Sequence, residues 1–151
     1  MSIAPWSFSK IKSFEQCPKK FYHLKVLKDY KEPETEAMYY GTAFHLAAEE
    51  YIRDGTPLPE KFMYGKAVLD SLAAKKGDKL CELKMGLTEN LEPCGFFDDN
   101  VWWRGIADLV ILNEEDKVAW AIDYKTSKNT RYADKGQLEL MAMALFKHFP
   151  N

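Results

Sequence analysis

The chain has 151 residues, 46% of them apolar and 14% aromatic, enough to bury one core and too many for a disordered segment. No apolar run approaches the ~18 residues of a membrane span, and MSIAPWSFSK at the N-terminus lacks the apolar stretch of a signal peptide, so a soluble intracellular protein is expected. The net charge of −2 does not announce a nucleic-acid binder, and Cys17, Cys81 and Cys94 make no C-x-x-C motif, so neither a disulfide framework nor a zinc site is indicated.

Residues 7–16 read as a helix capped by Ser7, with Ile11 and Phe14 on one face. Pro18 suits the first turn of a second short helix, with Phe21 and Leu24 facing inward. Residues 1–31 hold seven lysines against Glu15 and Asp29, a balance of +5, which leaves −7 for the remainder. Such a basic end is either a footprint for phosphate or a solvated helix face. The first reading gives Lys10, Lys12, Lys19 and Lys20 a role in substrate binding.

A polar loop at 29–36 precedes a helix over Glu36–Arg53, which stops before DGTPLP. A further helix is expected over Glu60–Lys75, ended by KKGD. The pattern then changes to strands at 80–87, 101–112 and 117–125, the last two joined by a turn at NEED, 113–116. A final helix covers Lys135–His148, with Leu138, Met141, Ala142 and Leu145 on its apolar side. The order of helices, strand meander and helix predicts an α/β (α+β layered) fold in one domain over 1–151, with a basic helical segment at 1–31. Because the chain stops directly after a helix, a C-terminal portion is expected to be missing.

Alternation along the last strand puts Val118, Trp120, Ile122 and Tyr124 on a bulky apolar face and Ala119, Ala121, Asp123 and Lys125 on the other. If Leu112 faces Lys117 across the turn, Asp108 faces Ala121 and lies diagonally from Asp123 on the same face. Two carboxylates so placed repel unless a proton or metal lies between them, and Mg²⁺ suits such oxygen ligands. The plainer reading is a solvated Asp–Lys pair. His45 is a competent ligand for Mn²⁺, and Glu49, one turn on, can orient it; the plainer reading is a buried histidine satisfied by Glu49.

Asp-x14-Asp-x-Lys across a hairpin resembles the PD-(D/E)XK nuclease superfamily. So do GTAFHLAAEEYI (Gly41–Ile52), IKSFEQCPKKFYHLKVLK (Ile11–Lys28), GIADLVI (Gly105–Ile111), AIDYKTSK (Ala121–Lys128) and GQLELMAMAL (Gly136–Leu145), in that family's order. The branch they resemble is the RecB-like one of RecB and AddB helicase–nucleases, CRISPR-associated adaptation nucleases and phage exonucleases. The resemblance implies a restriction-endonuclease-like core, a central mixed sheet with an antiparallel meander flanked by helices. It implies metal ligands at His45, Asp108, Asp123 and the Tyr124 carbonyl, a catalytic Lys125, a flanking Gln137 and an acidic position at Glu82. Met141 departs from the tyrosine that often follows the glutamine by four residues. Some relatives hold an iron–sulfur cluster; Cys17 matches one ligand, but no three-cysteine group follows residue 94, so no cluster is expected and Cys17 reads as a small apolar residue at a helix corner.

The expected activity is Mg²⁺- or Mn²⁺-dependent hydrolysis of DNA, single- or double-stranded, from an end, in recombination, repair or phage DNA processing. The setting implied is the cytoplasm of a bacterial or phage-infected host cell, with a helicase or recombination protein as partner and no membrane. The alternatives are a non-catalytic nucleic-acid-binding or complex-forming module on the same fold, and a structural protein whose Asp–Lys pairs are surface charge.

Overall fold

The structure is a computed structural model that describes residues 4–129, 131 and 134–151. Helix α1 (Phe8–Gln16) is capped by Ser7, whose side chain accepts from the Lys10 N–H. Helix α2 (Pro18–Phe21) has Pro18 in its first turn and the Cys17 sulfur as its N-cap acceptor, a polar use of a residue expected to be merely apolar. The chain continues as a π-helical stretch, Tyr22–Leu27, and stops at Lys28 in the left-handed region (φ 57°).

Helix α3 (Glu36–Asp54) runs between a Thr35 cap and Gly55, whose φ of 72° is cheap for glycine and lets its N–H close on Glu50 and Tyr51. The helix expected over 60–75 is divided: a 3₁₀ stretch, Glu60–Gly65, precedes α4 (Lys66–Ala74). Strands β1 (Asp78–Leu87), β2 (Pro93–Cys94), β3 (Trp103–Asn113) and β4 (Val118–Ile122) form a sheet in the order β2-β1-β3-β4, and α5 (Lys135–His148) follows. The β1–β2 and β3–β4 pairs are antiparallel, and an isolated bridge joins Trp6 to Trp103 in parallel. This α+β architecture is consistent with a restriction-endonuclease-like fold. Among the described residues no helix is long and apolar enough to cross a membrane.

Two compact units are distinguished. The first comprises 1–34, 84–105 and 139–150; the second comprises 35–83, 106–138 and 151. In the first, Trp6, Phe14 and Phe21 pack ring on ring, with centroids 5.6–6.1 Å apart. Neither short helix has a fully buried residue, and Phe14 remains 46% exposed, so the inward face expected for these helices is shallow. Met85, Leu87, Trp103, Ala144 and Leu145 are buried, and His148 Nε2 lies 2.8 Å from the Gly86 carbonyl. In the second unit, Phe44, Ala48, Phe62, Leu69, Leu109, Ile111 and Tyr124 belong to one core cluster.

The β3–β4 hairpin departs from the expected register by two residues. Asn113 pairs with Val118 and Leu109 with Ile122, so the turn is Glu114–Lys117 rather than NEED. Asn113 stays in the ladder while its side chain brackets Asp116, accepting that residue's N–H at 3.1 Å, and Lys117 takes a left-handed φ of 54°. A two-residue shift preserves the faces: Ala121 pairs with Val110 rather than facing Asp108, and Asp108 and Asp123 both follow just beyond the last pair, Leu109 with Ile122. The strand also ends at Ile122 rather than 125, because the Tyr124 N–H donates to the Asp108 carboxylate (2.7 Å). Val118 and Trp120 share the core face of Ile122 and Tyr124 but lie 41% and 48% exposed; the Lys75 ammonium sits 4.1 Å from the Trp120 ring.

Candidate metal centre and lysine site

Three elements of the second unit supply one cluster. Helix α3 carries His45, β1 carries Glu82 and β3 carries Asp108, and one ligating atom of each lies within 4.8 Å of the others. His45 is half-buried, its Nδ1 3.2 Å from Asp108 Oδ1 and its Nε2 2.9 Å from the Tyr124 carbonyl oxygen. An ionised carboxylate and a carbonyl can only accept, so both ring N–H groups donate and the imidazole is charged in this arrangement. Its pKa is accordingly raised, chiefly by the hydrogen bond to Asp108, against the lowering effect of burial.

Glu82 reaches the cluster by a backbone irregularity. Its φ is 49°, a conformation that costs a non-glycine residue of order 1–3 kcal/mol. Burial along β1 does not alternate either: residues 79–83 are all half-buried, and Met85, Gly86 and Leu87 are buried in succession. Outliers of this kind gather where function requires a side chain to be re-aimed. Alternation in the sequence carries no sign of it.

The remaining residues expected at the site form a second, closed network. Lys125 Nζ lies 2.6 Å from Asp123 Oδ2 and donates to Gln137 Oε1 at 3.1 Å; Gln137 Nε2 donates to Asp123 Oδ1 at 3.2 Å. Asp134, which the sequence reading passed over, sets Gln137 in place: its side chain accepts the Gly136 N–H (2.8 Å) and its carbonyl the Gln137 N–H (3.2 Å). An Asp three residues before a glutamine at a helix start is the cap signal that would have found it. Tyr124 sits between the networks, its N–H on Asp108 and its carbonyl on His45.

Glu49 does not orient His45. Both ring nitrogens are engaged elsewhere, and the Glu49 carboxylate pairs with Arg53 one turn on. It still lines an open cleft of about 460 Å³ with His45, Glu82 and Asp108, alongside Leu46 and Ile106. The four N-terminal lysines lie in the first unit and have separate fates. Lys10 donates to the Pro5 carbonyl at 2.7 Å, Lys12 pairs with Glu15 at 3.5 Å, Lys20 pairs with Glu32, and Lys19 is exposed.

The donor set fits a hard divalent cation. It offers two carboxylates and one imidazole, with the Tyr124 carbonyl held against that same imidazole, and no thiolate. Mg²⁺ and Mn²⁺ accept oxygen-rich sets of this kind, and the imidazole favours Mn²⁺. A cation placed there substitutes for the proton that now lets His45 face two acceptors.

A model of the PD-(D/E)XK nuclease superfamily matches residues 5–83, more than half of the chain, a span that includes His45 and Glu82 and ends before the hairpin. No curated protein and no solved structure matches the chain. With the α+β fold and the His–Glu–Asp cluster beside it, the match shows that the chain belongs to the PD-(D/E)XK nuclease superfamily.

Proposed function

We propose that the protein is a Mg²⁺- or Mn²⁺-dependent nuclease of the RecB-like branch that hydrolyses phosphodiester bonds in DNA from a strand end. The observation that carries this reading is the convergence of His45, Glu82 and Asp108, far apart in sequence, within 4.8 Å of one another in the unit that also holds Lys125.

His45, Glu82, Asp108 and the Tyr124 carbonyl would hold the cation, with Asp123 beside them. When bound, a divalent cation supplies charge neutralisation at the scissile phosphate and a lower pKa for the attacking water. Lys125 directs its ammonium at the phosphate oxygens, where negative charge grows in the transition state. Asp123 and Gln137 hold that ammonium in one direction, which reduces the ordering left to be done during reaction. Tyr124 N–H fixes Asp108 by one oxygen and leaves the other on the His45 side. The proposed setting is recombination, repair or phage DNA processing in a bacterial cytoplasm, with a helicase or recombination protein as partner.

The test is digestion of end-labelled linear DNA and closed circular DNA with Mn²⁺, with EDTA, and with Asp108→Asn. Loss of the linear substrate alone, abolished by EDTA and by the substitution, is the expected result. Cleavage that survives EDTA, or full cleavage by Asp108→Asn, sinks the metal-nuclease reading; equal cutting of the circle sinks only the requirement for an end.

A further inference from the structure

The first unit gathers cations that lie far apart in sequence around two aromatic rings, Phe96 half-buried and Phe97 exposed. Arg104, in β3, places its guanidinium 4.6 Å from the Phe96 ring centre and donates to the Phe96 carbonyl at 3.4 Å. Lys84, in β1, holds its ammonium 5.9 Å from the Phe96 ring and 5.5 Å from that of Phe97. The two rings meet edge to face at 5.0 Å, and Phe97 is 76% exposed. An exposed phenylalanine gains nothing from burial in the free protein, so its apolar face is available to a ligand.

The N-terminal segment adds charge to the same place. The Trp6 carbonyl accepts the Arg104 N–H at 2.9 Å, and the neighbouring Pro5 carbonyl accepts the Lys10 ammonium at 2.7 Å. Burial lowers the Lys10 pKa most, and the charges of Arg104, Lys25 and Lys28 lower it further. Cations that repel one another in the free protein are relieved by an anionic partner. The nearby Asp98 carboxylate is engaged in its own turn, accepting the Gly95 N–H at 2.6 Å.

We propose that this face of the first unit binds single-stranded nucleic acid, with Phe97 stacked on a base and Lys84, Arg104 and Lys25 against the phosphates. The ligand class rests on the nuclease reading above. The choice of strand form rests on Phe97: an aromatic side chain stacks on a base where the base has left its own stack, which a single strand offers freely and an undistorted duplex does not. Lysines alone would hold either form.

The experiment is fluorescence anisotropy of the whole chain with a labelled oligothymidylate and with a labelled duplex hairpin, in EDTA so that nothing is cut. Wild type binds the oligothymidylate more tightly. Phe97→Ala weakens that binding about tenfold, leaves the duplex unchanged and does not move the melting temperature, while Phe97→Tyr retains affinity. Lys25→Gln with Lys84→Gln lowers the slope of log affinity against log salt by about 1.4, roughly 0.7 for each phosphate contact on a single strand. Unchanged oligothymidylate affinity in Phe97→Ala, or an equal loss on the duplex, overturns the proposal. A protein that binds through Phe97 yet cuts nothing with Mn²⁺ present refutes the nuclease reading and leaves this surface standing.

Discussion

Asp108 and Asp123 both lie just beyond the last ladder pair of one hairpin, yet they keep different company. Asp108 accepts the Tyr124 N–H and faces the His45 ring; Asp123 accepts from Gln137 and faces the Lys125 ammonium. Strand alternation puts the two carboxylates on one face, where like charges repel. Helices then decide what each becomes, α3 by bringing His45 to Asp108 and α5 by bringing Gln137 to Asp123. The first carboxylate is balanced by a proton on an exchangeable ligand. The second is balanced by a fixed ammonium. A divalent cation can displace the one counter-charge and not the other.

Asp108→Asn tests the first half of that contrast and has the largest expected effect. It removes the carboxylate between His45 and Tyr124, so Mn²⁺ affinity in calorimetry should fall by about 100-fold or more, and cleavage should be nearly abolished. Asp123→Asn should also remove most cleavage, because it frees Lys125, but with a smaller loss of Mn²⁺ affinity. Equal losses of affinity in the two variants would erase the distinction and make Asp123 a full ligand.

Lys125→Ala comes next. Its ammonium neighbours Asp123 rather than the His–Glu–Asp cluster, so Mn²⁺ affinity should hold or rise. Cleavage should fall by about 10²–10³-fold, the usual loss when one stabilising group is removed from a charged transition state. A large drop in metal affinity would show that the two networks act as one.

The two halves of the site differ in how much of them the sequence disclosed. Helix α3 was readable within a residue, because Thr35 and Gly55 are strong punctuation on an amphipathic run. The face shared by Asp108 and Asp123 was readable from alternation, but the register that puts both just past the last ladder pair was not. It depends on Asn113 remaining in the ladder and on Lys117 turning left-handed, and no hydrophobic pattern records either. Glu82 was legible only as a weak resemblance, since its φ of 49° breaks the period that would have placed it. The π-helical turn at Tyr22–Leu27 has no sequence period of its own. Phe97, Lys84 and Arg104 were invisible as a group because strands, not spacing, bring them together.

A proton on His45 gives the metal-free protein a pH dependence of its own. The ring's folded pKa is held above its ordinary 6.5, first by the hydrogen bond to Asp108. Stability from the charged ring is therefore complete below 6.5 and is lost as pH rises through the raised folded value. Thermal melts in EDTA should show the melting temperature declining across that window, and His45→Gln should flatten the decline. Saturating Mn²⁺ should abolish it, because the metal needs the ring unprotonated; Mn²⁺ affinity should instead fall as pH drops below the raised value. A decline that His45→Gln leaves intact assigns the titration to another group.

Glu49→Gln is the smallest expected effect and the sharpest check on where the metal cluster ends. Glu49 lies one turn from His45 and lines the same cleft, so proximity alone would enrol it as a third acidic ligand. Its carboxylate is turned to Arg53, however, and His45 has no ring nitrogen left for it. Neutralising Glu49 should therefore alter Mn²⁺ affinity and cleavage by less than about threefold, the scale of an ion pair at the surface. Glu82→Gln provides the contrast within the same cleft. It removes a carboxylate that a strained φ of 49° holds toward His45 and Asp108, so its loss of Mn²⁺ affinity should exceed that of Glu49→Gln by an order of magnitude. If the two substitutions behave alike, the backbone strain at Glu82 has no bearing on metal binding, and the cluster must be redrawn around His45 and Asp108.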